Sequence, residues 1–251
     1  MGKAYLFLSG KGGTGKTTVA ASIGLKLARD GRRTVLVDAD VGLRCADILL
    51  NMENDIVYDA SDVLEDRSVV EEALTACPAE NNLYLLSAPQ MMNPSDVDKK
   101  AMNGVIRDLK TRFDYVLIDC PAGIGRGLRN VWSEADEAVI VSTPDDASLR
   151  DAERLSKLLF DKKQLRAQLL LNRTDRFLIL FREERRPADI AAALDLPLLA
   201  AIPDSNDVYR ALLAHKTALE CDSRRVRRAI RLAADRLSGA DIPLPKYCRP
   251  R

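Results

Sequence analysis

Short runs that are apolar at nearly every position alternate with longer stretches in which apolar side chains recur every third or fourth residue. Residues 4–8 (AYLFL), 33–37 (RTVLV), 82–86 (NLYLL), 115–118 (YVLI), 138–142 (AVIVS), 168–171 (QLLL) and 198–202 (LLAAI) read as strands. Helical spacing covers residues 17–29, 94–112, 147–160 and 187–194. It returns over 222–237, where Val226, Ile230, Ala233 and Leu237 form one apolar seam. Strands without polar alternation are buried on both faces, and a helix between successive strands makes right-handed crossovers. The expected fold is therefore α/β: a three-layer α-β-α sandwich on a mostly parallel, twisted sheet of about seven or eight strands. No repeat, low-complexity segment or linker divides the chain, so residues 1–239 read as one domain. After Ser238-Gly239 the pattern stops, and residues 240–251 form a tail in which Pro243, Pro245 and Pro250 exclude a continuous helix.

Composition narrows the classes. With 47% hydrophobic and 30% charged residues in 251, a sizeable core under a charged surface is expected and disorder is not. Lys+Arg 38 against Asp+Glu 37 leaves +1, which excludes a polycation built for nucleic acid. Aromatics at 5% provide no stacking platform for single strands. The five cysteines (Cys45, Cys77, Cys120, Cys221, Cys248) contain no Cys-x-x-Cys pair and suit a reducing, cytoplasmic setting. His215 is the only histidine, leaving little material for a histidine zinc site or a Ser/His/Asp triad. The apolar run after Met1-Gly2-Lys3 is too short for a signal peptide or a spanning helix.

The strongest chemical signal is Gly10-Lys11-Gly12-Gly13-Thr14-Gly15-Lys16-Thr17, which fits G-x-x-x-x-G-K-[ST]. It stands between a buried strand and a helix, the context a phosphate-binding loop requires. Glycines let backbone N–H groups turn inward around a phosphate, and the helix N-terminus adds positive potential. Lys16 is the residue to neutralise the β/γ-phosphates, the Thr17 hydroxyl is a hard ligand for Mg²⁺, and Thr18 offers a hydroxyl near the α-phosphate.

Lys11, a second lysine that the generic motif does not need, makes Lys11-Gly12-Gly13-Thr14-Gly15-Lys16-Thr17 resemble the MinD/ParA family of deviant Walker A ATPases. The resemblance spans nearly the whole chain and implies that Lys11 crosses a two-fold axis to the nucleotide of a second copy, so that ATP joins a homodimer. Residues 37–44 (VDADVGLR) resemble switch I of the MinD branch; there Asp40 is implied to orient the attacking water and Asp38 to support the Mg²⁺ shell or the lysines. Residues 113–119 (FDYVLID) resemble a Walker B strand ending on the metal-holding Asp119, and 120–125 (CPAGIG) resemble switch II. Asn172, after a strand, matches the adenine-recognising asparagine, and Pro203 belongs to a segment beside the base. Implied catalytic residues are thus Lys11, Lys16 and Asp40, with ATP and Mg²⁺ as ligands.

By resemblance the activity is that of an ATP-dependent dimerising switch with slow hydrolysis, placing the division site through a partner of the MinC/MinE type. A partition or flagellar/cargo-positioning ATPase and an iron–sulfur carrier are the alternatives, and a P-loop amidoligase is a remoter one. The family's C-terminal membrane helix is not readable here: residues 240–251 have Lys246, Arg249 and Arg251 but only Ile242, Leu244 and Tyr247 as bulky apolar groups. The expected location is cytoplasmic, with the inner face of the cell membrane as a peripheral site. Cys45-Ala46 also departs from the family's switch I pattern. Arg224, Arg228 and Arg231 lie opposite the seam of the last helix, flanked by Arg225, Arg227 and Arg236. That face is either a solvated outer surface or a phosphate-attracting patch, with DNA as the less favoured ligand.

Overall fold

The computed structural model describes residues 1–40, 45–89, 97–123, 132–163 and 165–249. Its strands are β1 (Lys3–Leu8), β2 (Thr34–Asp38), β3 (Leu74–Ala76), β4 (Leu83–Leu86), β5 (Tyr115–Asp119), β6 (Glu137–Ser142), β7 (Arg166–Thr174) and β8 (Leu198–Pro203). The helices are α1 (Lys16–Arg29), α2 (Ala46–Leu49), α3 (Ala60–Leu64), α4 (Val70–Ala73), α5 (Lys99–Arg112), α6 (Asp146–Lys163), α7 (Arg176–Phe181), α8 (Pro187–Ala193), α9 (Asn206–Leu213) and α10 (Arg224–Leu237).

One eight-stranded sheet runs β3-β4-β2-β5-β1-β6-β7-β8, parallel except for β3 against β4. Alternate side chains of β1 seed the two cores: Tyr5 and Phe7 meet α1 and α10, whereas Ala4, Leu6 and Leu8 meet α5, α6 and α8. All four seam residues of α10 are buried, and the Tyr5 hydroxyl is satisfied by donating to Leu237 O at 2.9 Å. Strand order reverses around β1, which lies between β5 and β6. The crevice beyond the carboxyl ends of these strands is where open α/β sheets bind ligands.

The seven expected strands are present. β3 was not foreseen, because three residues are too few to show a period. Asp98 caps α5, accepting from Lys100 N at 2.7 Å, so the helix begins at Lys99 rather than at residue 94; residues 94–96 lie outside the described residues. Ser223 likewise caps α10 and starts it at Arg224 rather than 222. The proline-rich tail is docked: Leu244 and Tyr247 pack on the α5/α6 side core, Cys248 is fully buried, and a 3₁₀ turn spans Lys246–Cys248. Arg236 ties this together by donating to Leu199 O (2.9 Å), Leu198 O (3.1 Å) and Ile242 O (2.5 Å).

Candidate nucleotide site

The loop between β1 and α1 has the geometry its sequence anticipates. Gly13 and Gly15 have φ of 80° and 86°, the left-handed region that a side chain disfavours. A Cβ on Gly15 would lie 2.3 Å from Asn172 Nδ2, which donates to Thr14 O at 2.8 Å. A Cβ on Gly10 would lie 2.1 Å from Asp151 Cβ, so α6 is seated against the loop. On the other side Gly12 and Gly13 face open space. The first turn of α1 has no side-chain cap and no acidic residue. Thr14 Oγ1 is buried with no hydrogen-bond partner. An uncapped helix start, an open glycine edge and an orphaned hydroxyl together fit an anionic phosphate chain.

Lys16, 6% exposed, donates to Asp119 Oδ1 at 2.5 Å, with Asp119 1% exposed. Asp38 is the ladder partner of Asp119 across β2 and β5. Its carboxylate accepts from Asp40 N (3.0 Å) and Ala46 N (3.4 Å). Burial first, and then the neighbouring Asp119, push the Asp38 pKa up to about 7 against the pull of those N–H groups and Lys16. Asp40 is raised as well, by burial first, with Lys16 opposing and Asp119 adding. Two carboxylates with a single buried ammonium are under-neutralised, a donor set that suits a hard divalent cation. Asp38, Asp119 and the half-buried Thr17 hydroxyl would hold it.

Lys11 is exposed at the outer edge of the loop, 3.1 Å from Asp145 Oδ1. Burial acts to raise the Asp145 pKa, but hydrogen bonds from Thr143, Ser148 and Lys11 hold the carboxyl well below the usual range. Asp145 was not singled out from the sequence, whereas Asp151 belongs to a run, Ser148-Leu149-Arg150-Asp151-Ala152, that resembles the MinD segment after the corresponding strand. The sign available for Asp145 was that a polar cluster follows directly on an apolar strand. Gly123 N donates to Ser9 O at 2.8 Å, joining the start of the second switch to the phosphate loop. Residues 41–44 of the first switch, 124–125 of the second and 126–131 after it lie outside the described residues. Asn172 is brought to the loop, and Pro203 pairs with Thr174 at the end of β7.

The family model described as "ParA: NUBPL iron-transfer P-loop NTPase" matches residues 1–235. The septum site-determining protein MinD of Bacillus subtilis is 37% identical over 247 residues, 97% of this chain and 92% of that protein. This chain belongs to the ParA family of P-loop NTPases. Within the family its likeness is to MinD proteins. MinD of Aquifex aeolicus, solved in a MinC:MinD complex, superposes with a TM-score of 0.90 at 34% identity, covering 98% of this chain and 99% of that one. MinD of Pyrococcus horikoshii, solved with Mg-ADP, gives 0.83 at 30% identity over 96% and 100% of the two chains. A ParA-family P-loop takes a magnesium nucleotide, and the orphaned Thr14 hydroxyl and the under-neutralised Asp38/Asp119 pair fit that group. Iron transfer, named in the family model, has little to work with: Cys77, Cys120, Cys221 and Cys248 are buried and only Cys45 is exposed. Among the described residues no helix is long and apolar enough to cross a membrane.

Proposed function

We propose that this chain is a MinD-like ATPase: it binds Mg-ATP, pairs with a second copy, hydrolyses ATP slowly and positions the division site through a partner of the MinC type. The observation that carries this reading is the contrast between two lysines of one loop. Lys16 is buried against the metal-site carboxylate, whereas Lys11 stands exposed at the rim on a weak, solvent-screened pair with Asp145. A lysine needed only for its own subunit's phosphates has no reason to be stationed outward. In the proposed scheme the loop N–H groups and Lys16 grip the β/γ-phosphates, Asp40 orients a water, and Lys11 leaves Asp145 for the nucleotide of the other copy. Mg²⁺, when bound, neutralises phosphate charge. Catalysis is by positioning and electrostatics rather than by a covalent intermediate. The domain reading stands as part of the proposal, with residues 1–239 as the ATPase unit and the docked tail as an appendage. So does a cytoplasmic location.

Calorimetry and light scattering test it. ATP with magnesium should double the scattering mass of the wild-type chain. Lys11→Ala should bind ATP but remain monomeric. Doubling in Lys11→Ala, or no nucleotide uptake by the wild type, refutes the reading.

A further inference from the structure

A groove of about 1020 Å³ opens where β7 and β8 end, bounded by α7, by α10 and by the tail. Its lining includes no residue of the phosphate loop and meets the nucleotide site only at Pro203, the residue implied beside the base; seven basic residues line it against three aspartates. Arg225, Arg228 and Arg231 stand three residues apart along α10, all exposed, and Lys246 faces them from the tail. Among the described residues none of these four is in an ion pair. Two of the aspartates are engaged elsewhere, Asp175 in capping α7 and Asp235 with Lys26, which leaves the exposed Asp204 as the one carboxylate against seven cationic groups. Arg186 adds a buried Nε without a hydrogen-bond partner. Exposed apolar side chains line it as well, with Phe177 and Leu180 of α7 62% and 55% exposed.

The combination selects a ligand class. Unneutralised guanidinium groups in a concave site recognise anionic groups by bidentate hydrogen bonds. Exposed Phe and Leu beside them require apolar side chains on the same ligand. The volume lies at the upper end of small-molecule sites and suits several peptide residues. A duplex would cover the arginines and leave the apolar side chains wet, and a flat bilayer would not fill the concavity. We propose that this groove docks a short acidic segment of a partner protein, carrying bulky apolar residues between its carboxylates. The proposal does not depend on the nucleotide switch.

Fluorescence anisotropy of the full chain tests it with a labelled decapeptide in which glutamates are interspersed with leucine and phenylalanine. Arg228→Glu/Arg231→Glu should weaken binding by about tenfold or more, and Phe177→Ser/Leu180→Ser by about fivefold. All four positions are exposed, and ATP uptake by both variants should equal that of the wild type. An all-glutamate decapeptide should bind more weakly than the mixed one. The idea fails if the mixed peptide does not bind, if either variant binds it as the wild type does, or if the all-glutamate peptide is equivalent. It also fails if phosphatidylglycerol vesicles or a 20-base-pair duplex bind more tightly than the mixed peptide and compete it off.

Discussion

Replacing Gly15 by Ala tests the idea that Asn172 and the phosphate loop compete for one small volume. Gly15 has φ of 86°, where an L side chain costs about 1–2 kcal/mol. The added methyl would sit 2.3 Å from Asn172 Nδ2, so the amide must withdraw and give up its 2.8 Å bond to Thr14 O. Losing that bond costs about 1 kcal/mol more. Gly15→Ala should therefore destabilise the fold by about 2–3 kcal/mol in urea titration, and Asn172→Ala alone by about 1 kcal/mol. The decisive measurement is the double variant. If the methyl has already displaced the amide, adding Asn172→Ala to Gly15→Ala should cost almost nothing further. Strict additivity of the two single effects would refute the steric argument, even if both single variants were destabilised as expected.

Asp38 gives a pH prediction. Its folded pKa of about 7 lies above the ordinary carboxylate value of 3.8, so its contribution to stability is complete below about pH 4 and is lost as pH rises through 7. In nucleotide-free protein Asp38→Asn should remove a slope worth at most about 4 kcal/mol; an unchanged slope in melts between pH 5 and 8 would count against the burial argument. Lys11→Ala breaks a pair whose two side chains are 43% and 49% exposed, so stability should move by less than about 0.5 kcal/mol in urea. Arg236→Met removes three bonds to carbonyls, and we expect a loss of about 2–4 kcal/mol with faster carboxypeptidase trimming of the tail. A thiol reagent added to native protein should find Cys45 alone, and slowly: it is the exposed cysteine, yet burial and the nearby Asp38 and Asp40 raise its pKa.

The layout of the site was legible because its parts are local in sequence. An unbroken apolar strand, a glycine run and a helix are consecutive residues, and their order alone placed Lys16 and Thr17. The Asp38/Asp119 pairing was legible only in outline: each aspartate closes an apolar strand, but the register that makes them ladder partners is a property of the assembled sheet. Less was visible where tertiary contacts decide. Arg236 looked like one more flank of a charged helix face, and its bonds to β8 and the tail depend on a chain reversal after Gly239. Cys248 lies among prolines and charges, and nothing nearby in sequence announces that it is fully buried. Asp145 gave no periodic sign of its contact with a lysine more than a hundred residues earlier.

Because Asp38 and Asp119 face each other across adjacent hydrogen-bonded strands, their separation is fixed by the sheet and not by any loop. Amide hydrogen exchange at the ends of β2 and β5 should be as slow as in the centre of the sheet, whether or not a nucleotide is present. Any motion that reports phosphate loss must then arise outside this ladder. The seat proposed for the cation is then a fixed fulcrum, against which any response to phosphate loss would have to lever.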